Sequence, residues 1–547
     1  MNKQTIKFYL FFAAAVFQCS CTSNYLSINS NPYEVTRDQM AVRDYAVASG
    51  LSAMFGSVIS TDVNTAQFTD CLLGGTQGGY YADANNGWTN TISKYNPTDD
   101  WTRVFLYSDK VIPQLYSNMS NVEGISDDPL VHAIMKIVKV CVLSRVTDTY
   151  GPIPYSEIGS TGKIQVGYDD QPDVYRQMFD DLDEAIALLD ANIDRSITTT
   201  TDQVFDGTAR KWCRFANSMK LRLAMRIVYT DFRSSQGLTP QELGEAAVSH
   251  PVGVMQTNDD NARLSAKAFG KDGNSLYTAC MYNTPAGSKT GGDSHAAADI
   301  ICYMNGYGDP RREKYFTKAQ FTGDNAPEYV GLRRGIAIPA LSTVGLLYSG
   351  VNFVEGMSTP LQWMNAAEVF FLRAEAAGVF GWEVGGDAKS FYEQGVRLSF
   401  EQWGVGGVDE YLSGTHLPET YSDPNGGLNT YTTQLSSLCV AWNDSASKEE
   451  MQERIIIQKW IANFHLGNEA WADFRRTGFP HLIPAVESVV SNNTQGVRNL
   501  RLGARRMPYP ADEATNNAEN YLRAVDLLGG SDNMATRMWW DCNPAIQ

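Results

Sequence analysis

The sequence predicts a mainly α-helical fold that carries long irregular loops. Three observations lead there: apolar ladders spaced at three and four residues, well-formed helix starts, and extended aperiodic segments between them. Leu130, Ile134, Ile137, Val138 and Cys141 form the first clear ladder, ending near Asp148 before Tyr150-Gly151-Pro152. Asp170-Gln171-Pro172-Asp173 opens the next helix, with Asp170 as cap, Pro172 in the first turn and Asp173 near the positive end of the dipole. Its core face is Val174, Met178, Leu182, Ala185 and Leu189. The stretches Ala209–Tyr229, Leu361–Phe380 and Glu449–Phe464 repeat the pattern. Cys141 and Cys213 sit inside these ladders and read as small core hydrophobes.

The helices come in loose pairs with no strict 34-residue period, which predicts a helical-hairpin scaffold rather than a regular solenoid. Segments 60–100, 265–360 and 403–445 are rich in Gly, Asn, Thr, Ser and aromatics, with weak periodicity. Segments this long without structure of their own are usually functional.

The N-terminus predicts export. Lys3 and Lys7 precede an apolar run from Phe8 to Phe17, then Gln18-Cys19-Ser20-Cys21. That run is about half of the roughly 20 apolar residues a spanning helix needs, and it has the layout of a secretory signal. Cys21, preceded by small Ser20, is similar to the cysteine that becomes the lipidated first residue of a bacterial lipoprotein. The expected division is a signal at 1–20 and a mature chain from 21 to 547. A plain secretory signal with incidental cysteines is the alternative reading.

Beyond the signal, no further span is expected, and the mean hydropathy is −0.28. Length alone allows several domains. The formal charge of −17 argues against a phosphate-backbone partner, so no nucleic acid is expected. Seven scattered cysteines follow Cys21, with no C-x-x-C pair, which excludes a disulfide framework and a zinc site, although a single bridge stays open.

The six histidines make no metal-binding spacing, and nucleophile-elbow, Walker and dinucleotide motifs are missing from the sequence. No cofactor is expected. Asp180-Asp181 and Glu449-Glu450 read as solvated helix surface. Asn258–Asn261 and Asp423–Gly426 read as turns before they read as calcium ligands. Two carboxylates suffice for a glycosidase, so a surface hydrolase remains the rival class.

Binding is the stronger expectation. The chain holds 27 Tyr and 11 Trp. Tyr80, Tyr81, Trp88, Tyr95 and Trp101 crowd a segment with Gly74-Gly75, Gly78-Gly79 and Asn85-Asn86-Gly87. Gly and Asn pairs make turns, which predicts rings presented on loops, where their faces suit a sugar ring or a peptide side chain. Tyr80, Tyr81 and Trp88 are the first candidates, and Trp101 is expected to be buried at a helix start. Tyr282, Tyr329, Tyr348 and Phe353 form a second, loop-borne set, of which Tyr282, Tyr329 and Phe353 join the candidates.

Several stretches, in order, resemble the SusD/RagB family of outer-membrane lipoproteins. They are Val146-Thr-Asp-Thr-Tyr-Gly-Pro-Ile-Pro-Tyr155, Tyr168–Tyr175, Lys211–Arg226, Asp309-Pro-Arg311, Ala366–Ala376, Asn468–Gly478, Arg506-Met-Pro-Tyr-Pro510 and Thr536–Asp541. The resemblance implies one SusD-like domain: tetratricopeptide-like helical pairs with irregular segments packed on them. It also implies a non-enzymatic, lipid-anchored receptor at the outer membrane. Such a receptor binds oligosaccharide, or in some members peptide, for a SusC-like TonB-dependent transporter. Trp471, Phe474, Arg475, Arg476, Trp539 and Trp540 read as architecture rather than site.

Overall fold

The computed structural model describes residues 45–546, apart from 109, 160–164, 199, 492 and 494. Cys21 and the signal lie outside the described residues. Ten of the longer helices among the described residues build the scaffold: α1 (Tyr45–Val58), α2 (Ile112–Glu123), α3 (Pro129–Tyr150), α4 (Gln171–Asp190), α5 (Ala209–Arg226), α6 (Pro240–Ser249), α7 (Ala366–Glu375), α8 (Ala388–Trp403), α9 (Lys448–Ala462) and α10 (Gly467–Thr477). They pack as neighbours in pairs, α1 on α2, α3 on α4, α5 on α6 and α7 on α8, with α9 laid against α7. This is the tetratricopeptide-like arrangement expected from the sequence. Caps match their residues: Asp170 accepts from the Gln171 amide at the start of α4, and Ser447 and Glu450 form a capping box at α9.

Two predicted boundaries move. Leu361–Met364 is not helical but a short strand, β4, antiparallel to β2 (Ala262–Leu264), and α7 begins only after the Asn365 cap. Its β-sheet partner satisfies the backbone of 361–364, which local periodicity could not reveal. Residues 60–79, expected as loop, are largely helical: Val63–Ala66 runs into a widened, π-type stretch, Gln67–Gly75. Gly78 and Gly467 explain the glycines here. A Cβ at Gly78 would meet Gly467 O at 2.6 Å, and one at Gly467 would meet the Gly74 carbonyl carbon at 2.3 Å. Gly74-Gly75 therefore permits backbone-to-backbone packing of this stretch on the start of α10 rather than a turn, while Gly78-Gly79 does turn the chain as expected, with Gly79 at a φ of 76° and its amide donating to Thr76 O at 3.2 Å. The stretch Tyr45–Gly75 is apolar and long enough by composition to cross a membrane, contrary to expectation, yet half of its most apolar window is buried inside the protein. It is core.

All seven cysteines among the described residues are free. Asp181 is no solvated surface charge: it pairs with Lys136 and Lys139 of α3 at 3.1 and 2.9 Å and accepts from Tyr155, tying α4 to α3.

A buried ion network joins five helices. Lys459 of α9 reaches Glu469 at 3.0 Å and Asp473 at 2.6 Å on α10. Arg222 and Arg226 of α5 pair with Glu368 of α7, Glu469, and Asp148 of α3. Arg476 makes a two-point pair with Glu375. Arg475 lies over the Trp471 ring at 3.7 Å and donates to the Asp148 carbonyl, and Trp540 donates to the Asp148 carboxylate at 2.9 Å. The shared tryptophan and arginine motifs thus build architecture.

Burial alone would raise the Glu469 carboxyl, but Arg226, Lys459 and Arg222 outweigh it and hold it far below the carboxylate range. A folded-state value below the unfolded one gives stability that is complete above about pH 5 and is lost as pH falls below about 4. Glu469→Gln leaves buried cations unpaired and is expected to lower the unfolding free energy by about 3–5 kcal/mol near neutral pH. Urea titration of both proteins from neutral to acid pH checks this: the gap narrows on acidification if the account is right.

Candidate functional site

The site begins where β1 (Tyr81–Asp83), paired antiparallel to β3 (Ser294–Ala296), leaves the core. The next residues make a side-chain-stabilised turn. Asn85 Oδ1 accepts from the Gly87 amide at 2.9 Å and Asn85 O from the Trp88 amide at 3.2 Å. This turn presents Trp88 half-buried, its ring edge-on to Trp101 with centroids 5.2 Å apart. Trp101, on the short helix Asp99–Thr102, is also half-buried and packs edge-on to Phe68 at 5.4 Å. Its partial exposure corrects the expected burial: the helix is one turn long and has no opposite face to cover the ring.

One carboxylate ties the surrounding segments together. Asp293 accepts from Asn85 Nδ2 at 3.0 Å, from Asn283 Nδ2 at 3.0 Å and from Gln67 Nε2 at 3.3 Å. Its amide donates to Tyr282 O, and its carbonyl accepts from the Ala84 amide, each at 2.8 Å. Burial raises the Asp293 carboxyl despite these donors. The Trp88 turn and the Tyr282 turn are therefore held to the same buried group. Tyr282 is 49% exposed. Trp88 and Trp101 meet edge-on, and Tyr282 stands exposed on a turn bonded to the same Asp293, so these rings offer apolar surface that can stack on the apolar side of a sugar ring.

The remaining candidates lie elsewhere. Tyr80 and Tyr81 are buried in the core, which corrects their expected presentation on a loop. Tyr80 stacks on Trp460 with centroids 5.7 Å apart and donates to its carbonyl, while Tyr81 bonds His465 Nδ1. Tyr329 is also buried, with the Arg312 guanidinium 4.5 Å from its ring centre. Phe353 is buried against His465 and lines a separate cavity. Packing across distant segments decided all four. Of the six candidates only Trp88 and Tyr282 reach the surface, on turns that each bond Asp293. Asp293, Asn283, Phe68 and Trp101 were missed as site residues. Asp293 carried no local signal, because two of its three amide partners are more than 200 residues away in sequence.

Asp423 and Asp260 act as turn and helix anchors. Asp423 accepts from the Asn425 amide and Tyr348, and Asp260 pairs with Arg214 at 3.0 Å.

The SusD-like family, described as Susd and RagB outer membrane lipoprotein, matches residues 27–541. The chain belongs to the SusD/RagB family. A SusD homolog from Bacteroides uniformis is 52% identical, with a TM-score of 0.85 over 91% of this chain and all of that one. A SusD homolog from Bacteroides ovatus is 38% identical (TM-score 0.82, covering 91% and 99%). A chitin-binding SusD homolog from Flavobacterium johnsoniae is 34% identical (TM-score 0.80, covering 91% and 99%). No curated protein matches the chain. The SusD-like scaffold accounts for the helical pairs and for the shared motifs buried between them.

Asp293→Ala removes the acceptor common to three amides. Hydrogen exchange at residues 84–88 and 282–284 is expected to speed up by about tenfold, with α3–α5 unchanged. Equal protection in both proteins would show that the carboxylate does not join the two turns.

Proposed function

We propose that this SusD-like protein is a lipid-anchored receptor that captures oligosaccharide at the cell exterior and passes it to a SusC-like TonB-dependent outer-membrane transporter. In this reading Cys21 carries the lipid, residues 1–20 are removed, and 21–547 act as one domain. The observation that carries the ligand half is the pair of half-buried rings Trp88 and Trp101, with Tyr282 exposed on a turn that bonds the same Asp293 as the Trp88 turn. Rings give area at little entropy cost, and amides supply the directional bonds a hydroxyl-rich ligand needs. The chitin-binding relative from Flavobacterium johnsoniae supports a glycan. Capture is by stacking and hydrogen bonding, with no bond made or broken. Affinities in the millimolar to micromolar range, about 4–8 kcal/mol, suffice when docking to the transporter raises the effective concentration.

Calorimetric titration against a panel of oligosaccharides, chito-oligosaccharides included, and oligopeptides tests the reading. A saccharide is expected to bind, and Trp88→Ala to weaken it by about 10- to 100-fold, ~1.4–2.8 kcal/mol. Peptide binding with no saccharide binding overturns the ligand class, and turnover of the saccharide into more product than protein overturns the receptor reading in favour of a hydrolase.

A further inference from the structure

Two buried sulfurs meet where the stretch Gln67–Gly75 packs on the short helix Ser275–Cys280. Cys71 and Cys280 are 209 residues apart in sequence, yet their Sγ atoms lie 3.9 Å apart and both side chains are fully buried. A disulfide holds its sulfurs about 2.05 Å apart. Side-chain rotation can close the difference, because a change of χ1 swings a cysteine sulfur while the backbone stays in place. No local spacing marks this pair, which is why the scattered cysteines leave one bridge open.

We propose that Cys71 and Cys280 form a disulfide in the exported protein. The bond depends on the export in the receptor reading, since disulfides form and persist outside the reducing cytoplasm. It does not depend on which ligand binds. The oxidant is a disulfide of that compartment, carried on a protein or on a small molecule. The thiolate of one cysteine attacks a sulfur of the oxidant, forming a mixed disulfide and expelling one thiolate, which takes up a proton. The second cysteine, deprotonated in turn, attacks the first cysteine's sulfur in the mixed disulfide. The Cys71–Cys280 bond forms and the other oxidant thiolate leaves. The pair gives up two electrons and two protons, and the oxidant disulfide takes both and becomes two thiols.

This exchange belongs to the folding chain. Once the protein is folded neither sulfur reaches solvent, and the hydrogen bond with Cys280, together with burial, pushes the Cys71 thiol well above its usual range. Little thiolate is then present to attack. The packing that brings the sulfurs together also shields the bond from reductants. The bond doubles a link already made by hydrogen bonds. Gln67, on the same stretch as Cys71, donates to Asp293 at 3.3 Å, and the Cys280 carbonyl accepts from the Gly292 amide at 3.1 Å. The Tyr282 turn follows Cys280 directly, so the bridge pins that turn to the stretch held by α10. It closes a loop of more than 200 residues, and a cross-link over a long loop takes the most freedom from the unfolded chain.

Peptide mapping of the exported protein tests the bond. The full chain is expressed with its signal, extracted from membranes, denatured in N-ethylmaleimide without reductant, and digested. The expected product is a Cys71 peptide joined to a Cys280 peptide and separated by reduction. Of the seven cysteines beyond Cys21, the other five should be alkylated at once and these two only after reduction. Cys71→Ala should free Cys280 for alkylation. Seven alkylated cysteines in chains that have lost residues 1–20 would overturn the bond and leave the receptor reading standing. Linkage of Cys71 or Cys280 to a different cysteine, or a Cys280 still blocked in Cys71→Ala, would overturn it equally. Chains that all keep residues 1–20, read from the intact mass, would overturn the bond and the export together.

Discussion

The salt-bridged cluster around Lys459 and Glu469 is the constraint on which the remaining structure depends. Helices α3, α5, α7, α9 and α10 each place at least one charge in it, so their rotations and heights are set together. Taking these charges out of water is expensive, and an apolar replacement of the whole cluster could be equally stable. What the cluster supplies is arrangement. A helix turned by one residue would leave a buried ion alone, whereas an apolar interface tolerates slippage.

That arrangement reaches the surface through a short chain of contacts. The first turn of α10 holds the Gln67–Gly75 stretch at backbone distance through Gly74, Gly78 and Gly467. The chain then passes Tyr80 and Tyr81, anchored on α9 and on the turn after it, and enters β1. Two residues beyond β1, Asn85 begins the turn that carries Trp88. The Trp88 turn is therefore mounted on rigid scaffold rather than on a free loop. A preorganised platform of this kind binds without spending ligand contacts on ordering the loop.

Much of the scaffold was legible in the sequence because helix periodicity and capping are local signals. Asp170 and the ladders at Leu130 and Val174 each act within a few residues of themselves. The failures share the opposite cause. Gly74-Gly75 reads as a turn, because nothing nearby shows that another backbone lies against it. Tyr80, Tyr81, Tyr329 and Phe353 read as presented rings for the same reason, as their partners Trp460, His465 and Arg312 come from other segments. Trp88 was legible because its Asn85-Asn86-Gly87 turn is local. Asp293, which bonds both the Trp88 turn and the Tyr282 turn, was not, because two of the three amides it receives come from segments more than 200 residues away.

The most direct test of the central claim is a crystal structure of the protein with the oligosaccharide it binds best. The account predicts a sugar ring lying on Trp88, flanked by Trp101 and Tyr282, with hydroxyls bonded to the amides of the Asn85 and Asn283 turns. An oligosaccharide seated away from that face, for instance in the roughly 730 Å³ cleft between Tyr168 and Arg523, would contradict it.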